Sequence, residues 1–195
     1  MSKIIGVDLD EVLAEFFDHA LEFHDYKIGT YTLEREKIKD YYIHKNDFID
    51  ITVEEAIIWF RQPMYDDMEL CRIPVVPGAK EKLLELKQAG YKLFVVTARI
   101  EELFGEYTKT WIEKYFPSIF DNIIFADHFH ETRKEKSELC HEYGIEIMIE
   151  DNYDYAVELA QNGIKTYLLE KPWNSWQDGV HENIIRVKSW ENIKL

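Results

Sequence analysis

Ile4-Ile5-Gly6-Val7-Asp8-Leu9-Asp10-Glu11-Val12-Leu13 decides how this chain is read. The first four residues are a short apolar run of the kind that becomes a buried strand. Asp8 and Asp10 follow where that strand runs out. In extended backbone, side chains two residues apart leave on the same side. Two like charges at the end of a core strand repel each other and are costly to desolvate. The pair makes chemical sense where a cation neutralises it or where the two carboxyls share a reaction. The plain alternative is a turn after the strand, where Asp is common.

The same pattern recurs downstream. Leu93-Phe94-Val95-Val96 runs into Thr97-Ala98-Arg99, Asn122-Ile123-Ile124-Phe125-Ala126 into Asp127, and Ile145-Glu146-Ile147-Met148-Ile149 into Glu150-Asp151-Asn152. Between the last two, Lys136 heads an amphipathic stretch that closes on Gly144. The periodicity predicts strands over 3–10, 92–97, 122–126, 145–149 and 164–169, an edge strand over 184–187, and helices over 79–89, 101–115, 134–143 and 153–162. Gly90, Gly144 and Gly163 sit where helices end. Regular alternation implies an α/β fold: an open, parallel, Rossmann-like sheet flanked by helices. Ligands of such sheets bind beyond the carboxyl ends of the strands, where these polar groups would meet.

Residues 12–72 interrupt the alternation. Val12-Leu13, Phe16-Phe17, Ala20-Leu21 and Phe23-His24 recur at three- and four-residue spacing, and Thr52 precedes a second helical pattern, Glu54 to Phe60, that Pro63 should end. The expected division is a core of 1–11 and 73–195 and a small helical cap of 12–72 inserted after the first strand.

Composition limits the function. The net charge of −15 and the lack of a Lys/Arg cluster argue against a nucleic acid polymer as partner. The longest apolar run is too short to span a membrane, and Met1-Ser2-Lys3 enters a strand with no signal pattern, so a cytoplasmic protein is expected. Cys71 and Cys140 have no metal-type spacing and are expected to be reduced thiols. Oligomeric state is not legible, and a homodimer stays open.

The order Asp8-x-Asp10, Thr97, Lys136, Glu150-Asp151 resembles the four motifs of the haloacid dehalogenase superfamily phosphatases, over almost the whole chain. The resemblance implies Asp8 as nucleophile, Asp10 as acid and base, Thr97 as a hydrogen-bond donor to the phosphoryl group and Lys136 as its counter-charge. It also implies Mg²⁺ held by Asp8, the Asp10 carbonyl and Asp151, with Glu150 acting through the outer shell. Lys134 competes with Lys136; Lys136 is preferred because it leads straight into an apolar helical face. Asp127-His128-Phe129-His130 reads as loop polarity rather than a metal cluster.

Asp8 to Ala14 with Phe16-Phe17, Trp59-Phe60-Arg61-Gln62-Pro63, Pro77-Gly78-Ala79, Thr97-Ala98-Arg99 and Pro172-Trp173-Asn174 together resemble the 5′(3′)-deoxyribonucleotidase family. That resemblance implies a deoxynucleoside monophosphate as the small phosphorylated substrate. Phe16, Phe17, Trp59 and Phe60 would receive the base, and Ala98 and Arg99 would stand near the phosphate. The same aromatics could equally be the cap's own core. Another small phosphate ester, or simple binding without catalysis, are the alternatives. One departure stands out: Glu11 occupies a position where the superfamily usually has Gly.

Overall fold

The computed structural model describes residues 3–65, 67–128, 133–177 and 181–195. Six parallel strands form the sheet: β1 (Ile4–Val7), β4 (Lys92–Thr97), β5 (Asn122–Phe125), β6 (Ile145–Glu150), β7 (Lys165–Leu169) and β8 (Ile184–Val187). Their spatial order is β5-β4-β1-β6-β7-β8, with β8 on the edge. The chain steps outward from β1 to β5, then returns to the other side of β1. The carboxyl ends of β1 and β6 therefore flank a topological switch point, the crevice such sheets use for ligands.

Period-two alternation divides the strands between two layers. Ile5, Val7, Leu93, Val95, Ile147 and Ile149 join one core with Leu83 of α4 (Ala79–Gln88) and with Phe104 and Trp111 of α5 (Glu101–Tyr115). Val96, Ile124 and Met148 face the other way, onto Leu139 of α6 (Lys136–Tyr143) and Leu159 of α7 (Tyr153–Gln161). Both faces being covered explains why these strands read as continuous apolar runs. Gly144 ends α6 in the left-handed conformation, φ +68°, which costs glycine no steric clash.

Between β1 and α4, the described residues form α1 (Phe16–Phe23), a two-stranded hairpin of β2 (Lys27–Ile28) and β3 (Tyr31–Thr32), two short 3-10 turns, α2 (Val53–Arg61), a third 3-10 turn and α3 (Asp67–Leu70). The hairpin and turns were not legible in the helical periodicity, because each is too short to show a period. Thr52 caps α2 in a reciprocal box: Glu55 N–H donates to its hydroxyl at 3.1 Å and Thr52 N–H donates to the Glu55 carboxylate at 2.8 Å. Val12, Leu13 and Ala14 are fully buried, and Ala14 bridges Val75 where the chain returns to the core. Trp190, near the C-terminus, donates its indole N–H to the Val12 carbonyl at 2.9 Å. Cys71 and Cys140 are free thiols. Among the described residues no helix is long and apolar enough to cross a membrane.

Gly6 is the tightest point of the central strand. A Cβ there would lie 2.6 Å from Met148 Sδ and 3.1 Å from Ile145 Cγ2. Gly6→Val should destabilise the fold by about 1–3 kcal/mol through overpacking, read as a lower urea midpoint. An unchanged midpoint would mean that the sheet has slack at β1.

Candidate active site

Asp8 directly follows β1 and extends its ladder, its N–H donating to the Ile149 carbonyl at 2.9 Å. Glu150 ends β6 and Asp151 follows it. Parallel pairing of β1 with β6 thus brings the three carboxyls together from positions over 140 residues apart in sequence. Their oxygens lie within 4.8 Å of one another, and all three side chains are buried.

Lys136, the first residue of α6, closes the cluster. Its ammonium donates to Asp8 Oδ1 at 2.6 Å and to Glu150 Oε2 at 2.8 Å, and is 1% exposed. A cation at a helix N-terminus opposes the helix dipole, so these two contacts have to outweigh both that and desolvation. They do: burial disfavours the ammonium, but Asp8 and Glu150 hold its pKa above the ordinary lysine value. Lys134, the competing candidate, instead donates to Glu142 at 2.8 Å on the surface.

One ammonium does not balance three carboxylates. Burial, then the charge of Glu150, pushes the Asp8 carboxyl up to about 8 despite Lys136. Burial, then Glu150 and Asp8, also raises Asp151 well above the usual carboxylate range. Buried oxygens with excess negative charge suit a hard divalent cation such as Mg²⁺, so the residues fit that ion. Trp173 and Asn174 orient the cluster: the Trp173 indole donates to Asp151 Oδ2 at 2.9 Å, and Asn174 Nδ2 to the Asp151 carbonyl at 2.7 Å. Sequence reading noticed Pro172-Trp173-Asn174 without a role for it.

Asp10 stands beside the cluster, but its carboxylate faces Arg99. Nε and Nη2 of Arg99 donate to its two oxygens at 3.0 and 2.7 Å, and Nη1 donates to Thr108 at 3.1 Å. Arg99 was expected near the substrate phosphate; it lines the cavity, yet its guanidinium is engaged by Asp10 and Thr108. Thr97 ends β4, and its hydroxyl accepts from Arg99 N–H at 3.2 Å. Asp127 caps α5, accepting from Glu101 N–H at 2.8 Å. His128 is buried, 2.6 Å from the Tyr155 hydroxyl, and burial lowers its pKa to about 4. Phe129 and His130 lie outside the described residues.

A cavity of about 220 Å³ opens beside Asp10, walled mainly by apolar side chains of the inserted segment, with Ala98 and Arg99 on the sheet side. Phe16, Phe17 and Phe60 line it, together with Tyr41, Tyr42 and Met64. Trp59 is not among its described lining residues. Its indole donates to the Lys27 carbonyl at 2.9 Å and its ring stacks on His24, 4.5 Å between centroids. Helical geometry explains the difference: neighbouring residues of α2 point about 100° apart, so Phe60 facing the cavity turns Trp59 into the segment's own packing.

The chain is similar to known proteins in sequence and in fold. The sequence model of the family described as 5′ nucleotidase, deoxy (pyrimidine), cytosolic type C protein matches residues 2–195. A nucleotidase of Clostridium acetobutylicum is 24% identical over 192 residues, covering 97% of this chain and 90% of that protein. The fold is similar to a haloacid dehalogenase-like family hydrolase of Streptococcus pneumoniae, TM-score 0.62 at 15% identity, covering 97% of this chain and 96% of that one. A haloacid dehalogenase superfamily hydrolase of Geobacter sulfurreducens aligns with TM-score 0.60 at 16% identity, covering 97% and 93%.

Removing Lys136 leaves the buried carboxylates uncompensated. Lys136→Met should cost about 3–5 kcal/mol of stability in chelator, the range for breaking a buried ion pair. Lys134→Met should leave the urea midpoint unchanged. Equal midpoints for the two variants would show that the cluster is not held by Lys136.

Proposed function

The chain belongs to the 5′ nucleotidase, deoxy (pyrimidine), cytosolic type C family, and we propose that it is a Mg²⁺-dependent phosphatase of (deoxy)nucleoside monophosphates that works through an aspartyl-phosphate at Asp8. Phosphatase chemistry as such follows from that membership. The observation that carries the finer reading is the buried Asp8–Lys136–Glu150–Asp151 cluster beside an apolar, aromatic-walled cavity.

The chain's own residues divide the work as follows. Lys136 holds Asp8 Oδ1, which leaves Oδ2 to attack phosphorus. The P–O bond to the nucleoside breaks, and Asp10 gives the leaving oxygen its proton once released from the Arg99 fork. Asp10 then takes a proton from the water that hydrolyses the acyl phosphate. Thr97 and the amides after it would donate to the phosphoryl oxygens. Asp8, the Asp10 carbonyl and Asp151 would hold Mg²⁺, and Glu150 would act through Lys136 and the outer shell. The ion supplies positive charge against the phosphate and against the carboxylate excess.

Residues 12–72 act in this reading as a cap. Phe16, Phe17 and Phe60 offer ring faces and edges to a base, with Phe17 and Phe60 5.8 Å apart between centroids. Stacking tolerates any base, so the cavity selects for a nucleoside more than for its identity. An acidic chain would repel long polyanions, whereas a monophosphate needs only the local charge of Lys136 and the metal.

Two outcomes test the reading. Asp8→Asn keeps the shape but closes the covalent route, so kcat should fall at least about a thousandfold, and chelation of the wild type should silence it as well. Turnover of Asp8→Asn within tenfold of wild type would sink the mechanism. Phe60→Ala should lower kcat/KM for thymidine 5′-monophosphate at least about tenfold more than for para-nitrophenyl phosphate, the equivalent of one lost stacking contact. Trp59→Ala should lower both in parallel. If no nucleotide is hydrolysed, a phosphatase of another small ester replaces the nucleotidase reading.

A further inference from the structure

Glu11 is a buried anion that the reaction leaves unused. Its backbone is left-handed, φ +64°, a region that favours glycine. Its side chain is 4% exposed and reaches three separate pieces of the protein. Oε1 accepts from Phe17 N–H at 2.6 Å. That amide belongs to the first turn of α1 and has no acceptor within the helix, and the flanking residue Glu15 makes no side-chain cap. Oε2 accepts from Arg35 Nη2 at 2.8 Å, and Lys171 Nζ lies 3.7 Å from the same oxygen. Arg35 also pairs with Asp18 of α1 at 2.7 Å, and its guanidinium lies 5.1 Å from the Trp173 ring centre. Lys171 opens the loop that holds Asp151 through Trp173 and Asn174.

We propose that Glu11 is a positioning residue: its buried carboxylate clamps the inserted segment, through α1 and Arg35, onto the loop carrying Asp8 and Asp10, and so sets the cavity in register with the phosphate site. A side chain survives in a left-handed backbone only where its surroundings over-determine it. Here the surroundings are two cations and a helix amide, each from a different part of the chain. A buried carboxylate at the cavity wall, one residue from Asp10, would be a liability without them. The clamp joins the pieces that must move together if a base in the cavity is to place its phosphate against Asp8. It rests on the phosphatase reading for its kinetic consequence alone.

The test separates backbone from carboxylate. Glu11→Gly relaxes the backbone and deletes the clamp; Arg35→Met deletes the clamp and leaves that backbone alone. Each should raise KM for thymidine 5′-monophosphate about tenfold while kcat falls less than about threefold, the signature of lost substrate placement. Hydrogen exchange at the Phe17 amide and in the turn Arg35–Lys37 should accelerate about tenfold or more. The double variant should lose clearly less than the sum of the two single losses, because both remove the same Glu11–Arg35 ion pair. Wild-type exchange rates in the single variants, additive effects in the double, or a loss confined to kcat would overturn the clamp. Should the wild type hydrolyse no nucleotide, the exchange rates and their non-additivity still decide the clamp, and only the nucleotidase reading falls. Should Glu11→Gly not fold, Arg35→Met carries both measurements.

Discussion

A single ammonium holds the carboxyl end of the central sheet together. Lys136 reaches across from α6 to Asp8 and Glu150, and in doing so ties a helix on one face of the sheet to the ends of its two central strands. The contact is expensive to build. Three carboxyls and a lysine leave water, and the lysine stands at the wrong end of a helix dipole. Hydrophobic residues of the same volume would serve stability as well or better. Such an arrangement is expected where the charges do chemistry, and their raised pKa values at Asp8 and Asp151 mark the same place.

Around that centre, the polar contacts are arranged in layers of decreasing cost. Arg99 fixes Asp10 with a fork of two hydrogen bonds and anchors itself on Thr108. Trp173 and Asn174 fix Asp151 from the loop after β7. That loop also touches the inserted segment, through Trp173 against Phe17 and through the Trp176 indole donating to the Lys39 carbonyl. The segment is therefore anchored on two sides, by Glu11 at its root and by the tryptophan loop at its far edge. Exposed pairs such as Lys37–Glu34 or Lys82–Glu85 contribute little beside these, because water screens them.

The place of the strand-end groups at the carboxyl edge of the sheet was legible because each was signalled locally. An apolar run fixes a strand, the residue after it must lie at the sheet edge, and a charged or hydroxyl side chain there is conspicuous. Lys136 over Lys134 was legible for a similar reason: only Lys136 leads into the buried face of α6, so only its stem can follow that face inward. The cavity was half legible. Phe16, Phe17 and Phe60 line it, but Trp59 turned inward, because aromatic content names candidates and helical phase selects among them. Arg99 was legible as a residue of the site but not as the partner of Asp10, 89 positions away.

The sequence by itself determined the parallel α/β sheet, the presence of an insertion after its first strand and the charged residues at the carboxyl ends of its strands. These follow from short-range patterns: periodicity, strand length, and polar residues where apolar runs stop. Only the tertiary structure decided the partners: that Lys136 bridges Asp8 to Glu150, that Arg99 clasps Asp10, that Trp59 packs while Phe60 lines the cavity, and that Glu11 gathers α1, Arg35 and Lys171. Those choices depend on distances between segments far apart in the chain. A side chain's charge and size are written locally, but the neighbour that neutralises it is fixed only when the sheet order and the insertion's seat bring the two together.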